Sequence, residues 1–386
     1  MQKEIYLDNG ATTKPYDAVI KYMCEVAAET YGNPSSLHIM GIEAERLVRK
    51  ARESIAGYLS CDVKEIIFTS GGTESNNLAI RGYLRANPRK GKHIITSTIE
   101  HPSVLEVYKH LSENGYTVDY INVDSSGRII LDELKSKLTK DTALISIIHV
   151  NNEVGSIQPI EDIVRIKNEI NPETVLHVDA VQSFGKIKIN PQRSGIDLLS
   201  GSSHKIHGLK GAGCLYAGRK IRIKPIVFGG GQEALLRSGT ENVPAICGFG
   251  MACDIKSANM AEDWNSITRL KTMFLERLME STLDFVINSD NCASPYVLNI
   301  SFSDLRSEVL LHHLEEKRIF VSTGSACSSR KNVHSHVLKA MGKKPSEIDG
   351  AIRFSFSAFN NGEDIEKTIE ALKEIIPRIR INKRAK

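Results

Sequence analysis

No apolar run in this 386-residue chain approaches the ~20 residues a helix needs to span a bilayer. The first residues, Met1 to Asp8, lack the apolar core preceded by positive charge that marks a secretory leader. No Cys-x-x-Cys pair occurs among the seven cysteines, an odd number scattered at Cys24, Cys61, Cys214, Cys247, Cys253, Cys292 and Cys327. That argues against a disulfide framework and a zinc knuckle, and it fits a reducing cytoplasm. A net charge of +4 gives no reason to expect nucleic acid or a membrane surface as partner. Its local excess sits in the last stretch, Arg378 to Lys386, read as a solvated basic tail. Internal repeats and low-complexity segments are absent as well.

What remains is ordinary globular material: 41% hydrophobic and 25% charged residues, enough for a sizeable core. The length exceeds a typical single domain and predicts one large and one smaller unit. Short apolar runs alternate with amphipathic stretches. Strands are expected at 66–69, 93–96, 117–123, 143–150, 175–179, 198–200 and 214–216, with helices near 15–30, 41–59, 76–84, 160–170 and from His101-Pro102 onward. Such alternation predicts an α/β fold whose mainly parallel, seven-stranded sheet is covered on both faces. A long helical stretch begins near Pro244 and leads to a smaller α+β unit, with strands at 296–301 and 351–356 and helices at 307–315, 334–341 and 363–375. The expected division is residues 16–255 for the large unit, and 1–15 with 256–386 for the small one.

In open parallel sheets, ligands bind beyond the carboxyl ends of the strands. The polar residues after each apolar run are therefore candidates to converge. They are Gly71-Gly72-Thr73, His101, Asn152, Asp179 with Gln182, and Ser202, His204 and Lys205. The Ser70-Gly71-Gly72-Thr73 turn suits an anion at a helix start, although an ordinary glycine turn with a capping side chain reads the same way. It has neither P-loop spacing nor a Gly-x-Gly-x-x-Gly pattern. Asp179 ends an apolar strand, where a carboxylate needs a cationic or hydrogen-bonding partner. A pyridinium N–H or a neighbouring helix start would serve. His101 could stack on a flat ring, move protons near neutral pH, or simply pack. Lys205 lies between hydroxyls and glycines, as an imine-forming lysine does. Together these residues match the needs of pyridoxal 5'-phosphate: a phosphate cup, a carboxylate for the ring nitrogen, a ring stacker and a Schiff-base lysine.

At this point the chain resembles the cysteine desulfurases of the NifS/IscS type (group I), within the class V aminotransferase group of fold-type I pyridoxal phosphate enzymes. The resemblance runs over essentially the whole length. It is carried by Tyr6-Leu7-Asp8-Asn9, Thr69-Ser70-Gly71-Gly72-Thr73-Glu74-Ser75-Asn76-Asn77, Glu100-His101, His149-Val150-Asn151-Asn152-Glu153, His177-Val178-Asp179-Ala180, Ser203-His204-Lys205, Arg237-Ser238-Gly239-Thr240-Glu241-Asn242 and Ser322-Thr323-Gly324-Ser325-Ala326-Cys327. It implies that Lys205 anchors the cofactor, Asp179 pairs with the ring nitrogen, Gln182 contacts the ring hydroxyl, His101 stacks, and Asn152 lies near ring and substrate. Gly72, Thr73, Ser202 and His204 hold the phosphate. Thr240 reaches the phosphate of the other subunit of a homodimer, and Arg353 binds the substrate carboxylate; a structural ion pair is its default alternative. Cys327, among small polar residues and near Arg330 and Lys331, is the nucleophile.

The implied reaction converts L-cysteine to L-alanine, with sulfur carried off as a persulfide on Cys327. A sulfur-acceptor protein then takes it, either an iron–sulfur scaffold or a tRNA- or cofactor-thiolation enzyme. No resident metal is implied, although Cys327 could transiently contact an iron–sulfur cluster. Selenocysteine lyases and group II desulfurases carry Arg-Ala-Gly-x-x-Cys at the cysteine segment, which this chain lacks. Cys327 argues against a simple class V aminotransferase, and the intact Lys205, Asp179 and His101 argue against a non-catalytic scaffold. Gly10 departs from the family's usual alanine or serine. The chain also lacks the longer C-terminal extension with which some members dock their scaffold.

Overall fold

The computed structural model describes residues 3–323 and 334–384. Its centre is a seven-stranded sheet. The strands are β2 (Ile66–Thr69), β3 (His93–Ser97), β4 (Thr117–Ile121), β5 (Thr142–Ile148), β6 (Val175–Asp179), β7 (Leu198–Ser202) and β8 (Gly213–Ala217), numbered after a short N-terminal β1 (Ile5–Tyr6). Their spatial order is β2-β8-β7-β6-β5-β3-β4. Strand residues alternate between two buried clusters. Ile94, Leu144, Val175 and Leu198 join one, and their neighbours Ile95, Ile145, Leu176 and Leu199 join the other. Burial on both faces is why these strands read as unbroken apolar runs.

One strand runs against expectation. β8 is antiparallel to both β2 and β7, while the other pairings are parallel. Only a short turn joins β7 to β8, too short for a crossover helix, so the chain must double back. Two reversals restore direction, so β2 and β7 point the same way. The register places Thr69 of β2 and Ser202 of β7 on either side of Gly213. A Cβ on Gly213 would come within 2.6 Å of the Gly71 Cα. Glycine there is what lets the Gly71 turn close over the strand end.

The second unit contains an antiparallel sheet ordered β12-β13-β10-β9: β12 (Ser322–Thr323), β13 (Ala351–Ser355), β10 (Val297–Phe302) and β9 (Phe285–Ile287). β1 pairs in parallel with β11 (Ile319–Phe320). A third buried cluster holds Ile5 and Leu7 together with residues between Ile267 and Ile376. The 37-residue helix Val243–Met279 links the units. Its first half, to Cys253, packs into the large sheet's cluster, and its second, from Ile267, into the small one. Val337, Leu338 and Met341 also pack into the large cluster.

Candidate active site

The carboxyl ends of β2, β6 and β7 and the loop after β5 bring most of the expected residues to one edge. Asp179, the last residue of β6, is 2% exposed. Its Oδ2 accepts from Asn76 Nδ2 at 2.8 Å and its Oδ1 from the Val181 N–H at 3.0 Å. Asn76 Nδ2 also donates to Ser103 Oγ at 2.9 Å. Ser103 in turn meets His101 Nδ1 through its hydroxyl at 2.8 Å and its backbone N–H at 3.2 Å. His101 thus caps the helix Pro102–Glu113 and accepts at Nδ1, which leaves the neutral ring's proton on Nε2. Burial pushes its affinity for a second proton down, against an opposing pull from Asp179.

Lys205 stands in the one-turn helix Ser203–Lys205 directly after β7. Its Nζ donates to the carbonyls of Gly10 at 2.5 Å and Ala11 at 2.8 Å. Gln182 Nε2 donates to the same Gly10 carbonyl at 2.9 Å. The Asp8–Thr13 turn is stitched to the lysine turn: Thr13 donates to the His204 carbonyl through both its N–H and its hydroxyl. Burial, then the charge of Lys205, pushes His204 down to about 4.

Two hydroxyls here are buried without partners, Ser202 Oγ and Ser203 Oγ. Gly72 lies against Ser202, and a Cβ on it would be 3.7 Å from the Ser202 Cβ and 2.5 Å from Val181 Cγ2. The helix Gly72–Asn77 starts here rather than at Asn76: Gly71 caps it in a non-helical conformation, and Gly72, which reads as a turn former, is already its first residue. It aims the N–H groups of its first turn, together with Thr73, at this strand edge. A donor-rich cradle with an unsatisfied hydroxyl, a buried carboxylate and a lysine fits pyridoxal phosphate.

Arg353, in the middle of β13, is 3% exposed. Nη2 donates to Asp8 Oδ1 at 2.7 Å and Nη1 to the Asn152 carbonyl at 2.9 Å, while Nε is buried without a partner. The half-buried Asn152 therefore meets Arg353 through its backbone. Gly10 packs beside this guanidinium, where a Cβ would stand 3.3 Å from Cζ. The absent side chain leaves the arginine its room.

Thr240 is solvent-exposed and makes no bond to this cluster within the single chain. Its loop is tied to the Gly72 turn, since Arg237 Nε donates to Glu74 Oε1 at 2.8 Å. Cys327 lies outside the described residues. The chain on either side of it is fixed near the site: Ser322 pairs with Arg353, and Ser335 bonds to Glu153. Asn76, Ser103 and Glu153 were not singled out individually from the sequence. Asn76 and Glu153 nevertheless fall inside the motif stretches that carry the resemblance.

The Aminotransferase class-V family matches residues 5–368. The chain belongs to it. It is 43% identical over 377 residues to a cysteine desulfurase of Nostoc sp., covering 97% of this chain and 94% of that one. It is 40% identical to the cysteine desulfurase IscS 1 of Archaeoglobus fulgidus, covering 96% of each. Among solved structures, a NifS-like protein superposes with a TM-score of 0.92 at 40% identity, covering 97% of this chain and all of that one. The fold is the fold-type I architecture of pyridoxal phosphate enzymes.

Proposed function

We propose that this chain is a pyridoxal phosphate-dependent cysteine desulfurase whose sulfur leaves on Cys327. The observation that carries the reading is the convergence of Lys205, Asp179, Gly72, Thr73 and the unpartnered Ser202 hydroxyl at one sheet edge, with Arg353 beside them. When bound, the cofactor supplies an electron sink for the substrate's Cα carbanion. Asp179, held by Asn76, would pair with the ring nitrogen. Ser202, Gly72, Thr73 and His204 would hold the phosphate, Gln182 the ring hydroxyl, and His101 the ring face.

L-Cysteine places its carboxylate on Arg353, whose Nε has no other partner, with Asn152 alongside. Lys205 removes the Cα proton and His101 moves a second proton. The Cys327 thiolate attacks the substrate sulfur: the S–S bond of a persulfide forms as the Cβ–S bond breaks, the released electron pair stays on the carbon skeleton, and that skeleton takes up protons and leaves as L-alanine. Cys327 is four residues beyond Thr323.

The active unit is a homodimer, in which Thr240 reaches the partner's phosphate. Its exposure, and that of the large apolar side chains Tyr31, Leu37, Phe228 and Leu235, supports this. The acceptor is a protein of iron–sulfur assembly or of tRNA or cofactor thiolation, and the compartment is the cytoplasm. Among the described residues no helix is long and apolar enough to cross a membrane. The units divide as residues 16–255, and 1–15 with 256–386; the separate buried clusters support this, apart from Val337, Leu338, Met341 and Ala351, which pack into the large unit's cluster.

Cys327→Ser tests the reading. The variant should keep its cofactor absorbance while losing alanine and sulfide production from L-cysteine. Normal turnover in that variant would sink it.

A further inference from the structure

We propose that Glu153 is a positioning residue for sulfur transfer: with Ser335 it fixes the chain that follows the cysteine segment to the same loop that orients Arg353. The inference rests on the reading of Cys327 as the sulfur carrier. Glu153 is 4% exposed, and its Oε2 accepts from the Ser335 hydroxyl at 2.5 Å. Ser335 is itself buried and caps the helix His336–Ala340 by accepting the Leu338 N–H at 3.1 Å. One residue on, His336 Nε2 donates to the Glu100 carbonyl at 3.0 Å, next to His101. The chain re-entering after the cysteine segment is thus bonded at two successive residues to the loops that present Asn152 and His101.

The Glu153 loop is rigid in its own right. The Asn151 side chain accepts the Glu153 N–H at 2.8 Å and donates to the Ile99 carbonyl at 3.0 Å. Asn299 Nδ2 donates to the Glu153 carbonyl at 3.1 Å. The adjacent Asn152 carbonyl takes Arg353 Nη1, and the Arg353 backbone pairs with Ser322, where the chain leaves toward Cys327. Departure and return of the cysteine segment therefore share one framework with the substrate-carboxylate site.

Capping a five-residue helix does not require a buried carboxyl, which is costly to desolvate; a serine facing solvent would suffice. What the carboxyl adds is a buried bond to Ser335, one residue after His334, which itself meets Asp349 Oδ1 at 3.2 Å. Losing that bond removes the buried side-chain anchor at Ser335 and lowers the thiol's effective concentration at the substrate sulfur.

The test is single turnover of the holoenzyme with L-cysteine. Persulfide on Cys327 is followed by mass spectrometry of quenched samples, and the cofactor's absorbance change on mixing by stopped flow. Loss of this one buried hydrogen bond predicts persulfide formation slowed by about tenfold in Glu153→Ala and in Ser335→Ala. Cofactor content and the early absorbance change should stay at the wild-type level. The double variant should be no slower than the worse single one, because both remove the same contact. Glu153→Gln, which keeps an acceptor oxygen, should recover most of the rate.

Wild-type persulfide rates in both single variants, additive losses in the double, or equal slowing of the absorbance and persulfide phases would overturn the inference. Wild-type enzyme that turns over cysteine without sulfur on Cys327 would instead overturn the underlying functional reading.

Discussion

Arg353 makes two of its three possible kinds of donation, to Asp8 and to the Asn152 carbonyl, and keeps Nε unspent in a buried position. A carboxylate supplied by the substrate is the partner this arrangement lacks. Arg353→Ala should raise KM for L-cysteine by about 10- to 100-fold, the worth of a charge-assisted bond. Cofactor absorbance should be little changed, and steady-state alanine formation measures the effect. An unchanged KM would return Arg353 to the role of a structural ion pair with Asp8. At this scale the sequence was informative where a residue's place in a strand decides its role. Lys205, Asp179 and Gly72 could be picked out because each follows an apolar run, and strand ends converge. Asn76 and Glu153 act through bonds to residues distant in the chain, and Ser103 matters because it links its neighbour His101 to the distant Asn76; no local spacing announces that. Thr240 also gains its meaning from a chain other than its own.

The helix Val243–Met279 makes the corresponding argument for whole elements. Its start was visible at Pro244, at the first helical turn where proline is tolerated, but its length was not. Midway along it, where its packing passes from one cluster to the other, Lys256 and Asp263 form a buried ion pair beside the Tyr296 ring, which lies 5.6 Å from Nζ. Lys256 is 1% exposed and Asp263 7%. Removing one partner strands a buried charge, so Asp263→Ala should destabilise the protein by about 3–5 kcal/mol. The pair replacement Lys256→Met with Asp263→Leu should regain most of that loss. Urea unfolding of the three proteins gives the comparison, and a double variant as weak as the single would refute the account. The β-pattern was legible for the same reason the helix start was. Burial on both faces left continuous apolar runs, whereas β9, β11 and β12 span only two or three residues each, too short to show a period. The reversed direction of β8 depended on loop length, which a strand-by-strand reading does not weigh.

Over the whole molecule, buried titratable groups set a pH of greatest stability. His177 lies between Ser146 and Ser200 on neighbouring strands, and burial pushes it down to about 3. Burial likewise pushes His149, His204 and His207 down to about 4. In the unfolded chain these rings take up protons below about 6.5, while in the folded protein they do not, so stability falls as pH drops below that value. Two carboxyls act in the opposite sense. Burial pushes Glu100 up to about 8 and Glu153 up to about 7. Folded, they hold protons that the unfolded chain has released above about 4.5, so their contribution declines as pH rises toward 7 and 8. Below 6.5 four histidines outweigh two carboxyls. Above it the two carboxyls are opposed by Lys271, which burial pushes down to about 8, and by Lys186, which burial holds well below its ordinary value; both lysines act in the stabilising direction as pH rises. The carboxyls therefore lower stability on the alkaline side of pH 6.5, each at up to about 1.4 kcal/mol per pH unit while it stays protonated only in the folded chain. Glu100→Gln removes the carboxyl with the higher value and should flatten that alkaline limb while leaving the acid limb as steep. Urea midpoints measured from pH 5 to pH 8.5 decide the matter: an alkaline limb indifferent to Glu100→Gln contradicts this account of the buried carboxyl.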